Sequence, residues 1–356
     1  MVISMPQSRF FDSKKGRRII WGWTNETDSS SDDVAKGWAG IHAIPRTIWL
    51  DIHGKQLLQW PVEEVESLRG NEINHQGLEL KKGGLFEIKG ADSFQADVEI
   101  DFELTSIDKA DPFDPSWLLD VEKHCREAGA SVNGGIGPFG LVVLASDNME
   151  EHTAVHFRVY KSEQKYMILM CSDLRSSSLR AGLYTPAYGG FFEYDLEKEK
   201  KISLRTLIDR SAVESFGGGG RVCIMARVYP VAVVDGVAHM YAFNNGSTTV
   251  RVPQLRAWSM RRAQIYVASD IEHNIDSVSL ALKELYEIYE SDHTTNLVAA
   301  EKEVDNQVLV SENGTSSNTL MPISTQFRTF MKAIAKKVSK SDLVAYLDEA
   351  ALTDHS

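Results

Sequence analysis

Asp209, Arg210 and Glu214 stand beside four consecutive glycines, Gly217–Gly220, in the stretch RTLIDRSAVESFGGGGR. Acid, base and glycine at this spacing suit two kinds of chemistry, a phosphate cradle or a catalytic carboxylate cluster. A cradle needs a strand before the glycines and a helix directly after them, whose free N–H groups face the anion; the Walker form adds a Lys-Ser/Thr pair. Here RVCIMARVYP follows the glycines, with Val222, Ile224 and Ala226 alternating against Arg221, Cys223 and Met225, the period of a strand. KISLRTLIDR alternates in the same way before them. The glycines are therefore expected to form a β-hairpin corner, where they supply positive φ angles and close backbone approach. Asp209 and Glu214 remain the best carboxylate candidates, but a general acid needs a concave, desolvated setting, and a hairpin corner is usually wet.

Other residue types carry weaker signals. His152 and His156, four apart on an expected strand, share a face and have the chemistry of metal ligands. No third ligand lies nearby, so a solvated strand face is the plainer reading and no metal or cofactor is expected. The three cysteines, Cys125, Cys171 and Cys223, lack CxxC spacing, which argues against zinc and leaves room for one intrachain disulfide at most. Asn25, Asn245 and Asn313 head Asn-x-Ser/Thr sequons, which matter only in the secretory pathway. Trp21, Trp23, Trp38 and Trp60 offer faces that stack on sugar rings. IIWGW, however, alternates tryptophan with small or apolar residues as a buried strand does, which favours packing.

The elements that must position these residues are mostly strands. With 356 residues and 43% hydrophobic content the chain can bury one large core or two smaller ones. From Gly77 to Ile265 short alternating runs recur between turn signals, among them GLFEIKG, FQADVEIDFEL, GLVVLAS, TAVHFRVY and KYMILMCSD, and predict an all-β sandwich. Residues 9–60 hold two further β-type runs around the polar loop ETDSSSDDVAKG. After Ile265 the period changes: Ile275, Val278, Leu282, Leu285 and Ile288, then Phe327, Phe330, Ile334 and Val338, predict two amphipathic helices around a polar linker. The net charge of −12 argues against a nucleic-acid partner, and most of it sits in Ile265–Ser356, which carries 7 Lys/Arg and 15 Asp/Glu. The N-terminus lacks the apolar run of a secretory leader and no stretch reaches a membrane span of about 20 apolar residues. A cytoplasmic chain with no membrane partner is the default expectation.

Six segments together carry a family resemblance: FFDSKKGRRIIWGWTNE, KGWAGIHAIPRTIWLD, GKQLLQWPVEEVESLR, GPFGLVVLAS, LIDRSAVESFGGGGRVCIMARVYP and LRAWSMRRAQI. They closely resemble the C-terminal part of plant acid β-fructofuranosidases, the cell-wall and vacuolar invertases and fructan exohydrolases of glycoside hydrolase family 32. The resemblance covers roughly residues 8–265, and it assigns the Asp-Arg-Ser and Val-Glu-Ser-Phe-Gly stretch to a structural signature of the sandwich. It implies a five-bladed β-propeller bearing the active site, followed by a β-sandwich, and retaining hydrolysis of β-fructofuranosyl bonds by two carboxylates about 5–5.5 Å apart. The family's nucleophile lies in Asn-Asp-Pro-Asn-Gly, its acid/base in Glu-Cys and a third carboxylate in Arg-Asp-Pro. This sequence contains none of them: its two Asp-Pro pairs, Asp111-Pro112 and Asp114-Pro115, follow Ala110 and Phe113, and no Glu precedes a cysteine.

The resemblance thus implies a remnant of the last blade over residues 1–62, an intact sandwich over 63–265 and an acidic helical or disordered extension over 266–356. No catalytic residue is expected, and intrinsic glycosidase activity is not. Sucrose or fructan-type carbohydrate is the partner class implied, with a non-catalytic carbohydrate-binding or protein-interaction module as the alternative. Homo-association through an exposed blade remnant or the tail is a further expectation. Cys125 and Cys171 match positions bridged in some members of the family, and Asn25 and Asn245 are the candidate glycosylation sites. Within the tail, LKELYEIYESDH and KSDLVAYLDEA weakly resemble the C-terminal region of hAT-superfamily transposases.

Overall fold

The computed structural model describes residues 8–163, 165–233 and 238–263. The expected tail helices and Asn313 fall outside the described residues. Strands β1 (Ser8–Asp12), β2 (Arg17–Trp21), β5 (Arg46–Leu50) and β6 (Leu57–Pro61) form a four-stranded antiparallel sheet in that order. Between β2 and β5 the chain makes a small ladder, β3 (Trp23–Thr24) with β4 (Ile41–His42), around helix α1 (Ser30–Lys36). Ser29 caps α1 through the backbone N–H of Asp32, whose carboxylate accepts from the Ser29 N–H in return. Gly37 ends α1 at φ 79°, a left-handed conformation that suits glycine.

A 3-10 turn at Glu63–Leu68 leads into two larger sheets. One has six strands in the order β17 (Val222–Arg227), β16 (Ala212–Gly217), β15 (Lys201–Asp209), β9 (Gln95–Leu104), β19 (Val250–Met260) and β7 (Arg69–Leu80). The other runs β14 (Ala187–Tyr194), β13 (Tyr166–Asp173), β12 (Thr153–Lys161), β11 (Phe139–Ala145), β18 (His239–Asn244) and β8 (Gly84–Glu87), with β10 (Asp111–Pro112) paired to the end of β12. Alternation explains how they stack. Val98, Ile100 and Phe102 of the first sheet and Phe139, Leu141, Val155 and Phe157 of the second point inward and share one core. Phe102 meets Phe139 edge-on at 5.1 Å across it. This is a β-sandwich, and helices α2 (Val121–Glu127) and α3 (Leu196–Glu199) lie in its connections.

The outer face of the six-stranded sheet is where the four-stranded sheet docks. Ile19, Val62 and Val65 pack there on Leu207 and Phe216, with Trp60 edge-on to Phe216 at 5.8 Å. Packing thus accounts for Trp60. Trp21, Trp38 and Trp49 stay 40%, 46% and 40% exposed, beside exposed Phe11, Leu50 and Leu57.

The glycine run is a hairpin corner between β16 and β17, and it is also the point of contact with β6. Gly218, Gly219 and Gly220 all have positive φ, at 58°, 67° and 89°. The N–H of Gln59 in β6 donates to the Gly220 carbonyl at 3.1 Å. A Cβ on Gly220 would lie 2.1 Å from the Gln59 carbonyl oxygen, and one on Gly217 would lie 2.4 Å from the Met170 sulfur. Glycine is needed for approach as well as for φ. Gly220→Ala should therefore cost about 2–4 kcal/mol in urea unfolding. Gly16→Ala, at φ 63° with nothing within 4 Å of the new carbon, should cost about 1 kcal/mol. Equal losses at both positions would refute the contact argument.

Candidate functional site

The outer face of β15, β16 and β17 carries Arg205, Leu207, Asp209, Glu214, Phe216 and Arg227, because Ile202, Leu204, Val213, Ile224 and Ala226 occupy the inner face. Asp209 is exposed and accepts a hydrogen bond from Gln95 Nε2 at 2.7 Å. Glu214, diagonally across the hairpin, is 3% exposed. The wet setting expected of the corner holds for Asp209 and fails for Glu214, because the chain around β5 covers it. One Glu214 oxygen accepts the Ile44 backbone N–H at 2.7 Å and the other accepts Arg46 Nη2 at 2.8 Å. Burial pushes the Glu214 carboxyl above the ordinary carboxylate range, against the pull of Arg46. A desolvated carboxyl with a raised pKa is what a general acid needs, yet both oxygens are committed to groups of the protein. Glu214 is a strut between two sheets.

A second carboxylate group lies further along the same junction, on the loop around α1. Oxygens of Glu26, Asp28 and Asp33 lie within 4.8 Å of one another, the one such metal-type cluster among the described residues. A side chain takes the cation's place there. Lys36 Nζ lies 2.8 Å from Glu26, 2.9 Å from Asp28 and 3.1 Å from Asp33. Arg227 of β17 donates to Glu26 at 2.9 Å, and the Tyr229 hydroxyl donates to it at 2.9 Å while accepting the Thr27 N–H at 2.7 Å. Burial opposes the charge on Glu26, but Arg227, Lys36 and Tyr229 outweigh it and hold the carboxyl at about 2. Arg180 reaches Asp32 of α1 as well.

Fully buried Glu151 orders the loops that supply these partners. It accepts the backbone N–H groups of Leu179 at 2.9 Å, Ala232 at 2.7 Å and Val233 at 3.1 Å, next to Arg180 and Tyr229. A third lock joins the linker turn to the sheet. Arg205, 1% exposed, donates to both Asp97 oxygens at 3.1 and 2.8 Å and to Glu66 at 3.1 Å, and Arg69 reaches Asp97 at 2.7 Å.

The remaining sequence candidates lie apart from this junction. His152 precedes β12 and its Nδ1 contacts the Met149 carbonyl at 2.9 Å. His156 is not on a solvated face: it is 0% exposed, since the segment before β11 covers the outer side of its sheet. The two do not converge. Cys125 and Cys171 are joined as a disulfide, with Cα atoms 5.8 Å apart, and Cys223 is a free thiol whose pKa burial pushes up to about 12. Asn25 is exposed, whereas Asn245 Nδ2 donates to the Ala130 carbonyl at 2.9 Å. Sequence reasoning missed Glu26, Lys36, Arg46, Glu151 and Arg227. The one sequence feature at Glu26 is its place inside the Asn25 sequon, which says nothing of charge pairing.

Residues 64–259 match the family described as glycosyl hydrolases family 32 C terminal, and residues 6–61 match the glycosyl hydrolases family 32 N-terminal domain. A rice (Oryza sativa subsp. japonica) protein named beta-fructofuranosidase, insoluble isoenzyme 4, is 87% identical over 258 residues, which are 72% of this chain and 44% of that protein. Fructan 1-exohydrolase of Hordeum vulgare is 79% identical over 259 residues, 72% of this chain and 43% of its own length. The crystal structure of fructan 1-exohydrolase IIa from Cichorium intybus superposes with a TM-score of 0.69 at 46% identity, over 72% of this chain and 48% of that one. The chain therefore spans less than half the length of these relatives.

Two outcomes are expected at the junction. Glu214→Ala leaves Arg46 buried without its partner and should cost about 3–5 kcal/mol in denaturant unfolding; a loss under about 1 kcal/mol would show that the pair is not buried in solution. Glu26, depressed from an ordinary 4.5, stabilises the fold above pH 4.5, and that contribution fades as pH falls through about 2. Thermal melts should show a drop across this window that Glu26→Gln shrinks. An unchanged drop in the variant would place the acid sensitivity elsewhere.

Proposed function

Because the chain belongs to glycoside hydrolase family 32, we propose that residues 8–263 are the closing part of a retaining β-fructofuranosidase acting on sucrose or fructan. In this reading the four-stranded sheet is the last blade of the five-bladed propeller and residues 63–263 are the sandwich that holds it. The observation that carries it is the junction: Glu214 and Glu26 are bound across it to Arg46 and Arg227 with both oxygens of each accepting, and Arg205, held by Asp97 of its own sheet, ties Glu66 of the linker turn to the sandwich, so these carboxylates hold a blade on a sandwich and leave no oxygen for a glycosidic bond on Glu214 or Glu26. Retaining hydrolysis needs two carboxylates flanking one bond, and the three motifs that supply them in the family do not occur in the sequence. On its own the chain is catalytically incompetent, and its role is to complete and stabilise a catalytic propeller whose other blades bear the carboxylates. Exposed Phe11, Leu50 and Leu57 on one face of the four-stranded sheet and Trp21 and Trp49 on the other are the apolar side chains such blades would cover, and the same side chains would drive homo-association without them.

Two further readings rest on the same family. The Cys125–Cys171 bridge belongs to an oxidising compartment, and there exposed Asn25 is the sequon that accepts a glycan, while the Asn245 amide is held by Ala130. Purified chain at about pH 5 should release no fructose from sucrose or 1-kestose above blank. Adding the N-terminal portion of the rice relative, the part this chain does not match, should restore hydrolysis. Turnover by the chain alone that Asp209→Asn or Glu214→Gln abolishes would overturn the proposal.

A further inference from the structure

The segment from Phe113 to Val132 crosses the outer face of the seven-stranded sheet and is fastened there by three kinds of bond. The Cys125–Cys171 disulfide joins α2 to β13. Arg158 of β12 donates to the carbonyls of Ala128 at 2.8 Å and Gly129 at 3.1 Å, and to that of Val132. Trp117 stacks on His124 at 3.9 Å, and His124 Nε2 contacts the Tyr160 hydroxyl at 3.0 Å, within an apolar cluster with Phe113 and Phe191.

Beneath this segment lies His156. Its ring is wholly buried and neither nitrogen has a hydrogen-bond partner. A buried polar group without a partner is a standing cost, and a charged one costs far more. The groups facing it offer no relief. Gly140 on β11 and Cys171 on β13 sit directly opposite and carry no charge. Arg158 on its own strand repels a second positive charge, as does Arg175. Asp173 attracts one, but its oxygens already accept Arg175 Nε at 2.9 Å and Nη2 at 2.6 Å. From the segment itself, the Ala128 backbone is close enough to favour the charged ring slightly and completes no hydrogen bond.

We propose that residues 113–132 form a flap that lifts from the sheet when His156 takes a proton, and that the Cys125–Cys171 disulfide is the bolt that keeps it shut. The direction follows from the ring's surroundings. Burial first, then Arg158, lower the His156 pKa to about 4 from its ordinary 6.5, so the closed flap is fully favoured above pH 6.5 and loses that preference as pH falls through about 4. Between about pH 7 and pH 4.5 the opening constant should rise about fiftyfold, once the disulfide no longer holds α2. Opening uncovers Phe113, Trp117, Tyr160 and Phe191 together, so an apolar binding surface appears only where the chain is both reduced and acidified.

Hydrogen exchange over residues 113–132 of the full chain, corrected for intrinsic rates, tests this at the two pH values with the disulfide intact and reduced. The reduced chain should lose about fiftyfold or more in protection on acidification, the oxidised chain should keep its protection, and reduced His156→Phe should lose far less, the remainder coming from His124, whose pKa burial and Arg158 also lower. Loss of the same size in His156→Phe or in the oxidised chain would overturn the proposal, as would no loss in the reduced chain. Should the variant fail to fold, the ring proton of His156 in the oxidised wild-type chain decides by NMR: a midpoint near the ordinary 6.5 overturns the trigger, and one displaced well below it supports the trigger.

Discussion

Taking the Glu214 carboxylate out of water is tolerable only if Arg46 and the Ile44 N–H come with it. That requirement ties β5 to β16 across 168 residues of sequence, and the rest of the junction is arranged around it. Arg46 also lies over the Phe216 ring at 5.2 Å, and Phe216 in turn meets Trp60, so the ion pair and the apolar contact share one set of side chains. Two other buried arginines, Arg205 and Arg227, repeat the arrangement at either side, each against a carboxylate from the other body or the linker turn. Planar guanidinium groups suit this because one head can satisfy several acceptors at once.

Fixed ion pairs demand that the two backbones approach closely, and the glycine corner is where they do. Gln59 and Gly220 share a backbone hydrogen bond at a distance that no Cβ would permit. The sandwich thus receives β6 almost as a neighbouring strand, without extending its own sheet. The chemistry suggested by glycines next to acidic and basic residues is the chemistry of docking.

Function follows from the same economy. Carboxylates and arginines buried in a junction, with a half-buried lysine beside them, satisfy one another's charge, as Glu26, Lys36 and Arg227 show most plainly. A reactive carboxylate must instead keep an oxygen for substrate. The chain belongs to glycoside hydrolase family 32 and spans less than half the length of each relative named above. Among the described residues no helix is long and apolar enough to cross a membrane.

Alternation with a period of two was enough to read the sandwich from the sequence, because a strand with one face in a core must show it: Val98, Ile100 and Phe102 on β9 do so against Asp97, Glu99 and Asp101. The glycine corner was legible for a similar reason, since a strand on each side of a glycine run leaves a turn as the only local solution. What the sequence does not contain is the identity of partners far apart along it. Glu214 reads as a wet turn residue and His156 as one member of a solvated pair, because local pattern cannot tell an outer face that meets water from one that another segment covers. Arg46, 168 residues away, removes the first from solvent, and the segment pinned by Cys125 removes the second. The strands were determined by sequence alone; which charges are buried was decided by tertiary docking, because desolvation depends on everything within a few ångströms and on nothing in the order of the chain.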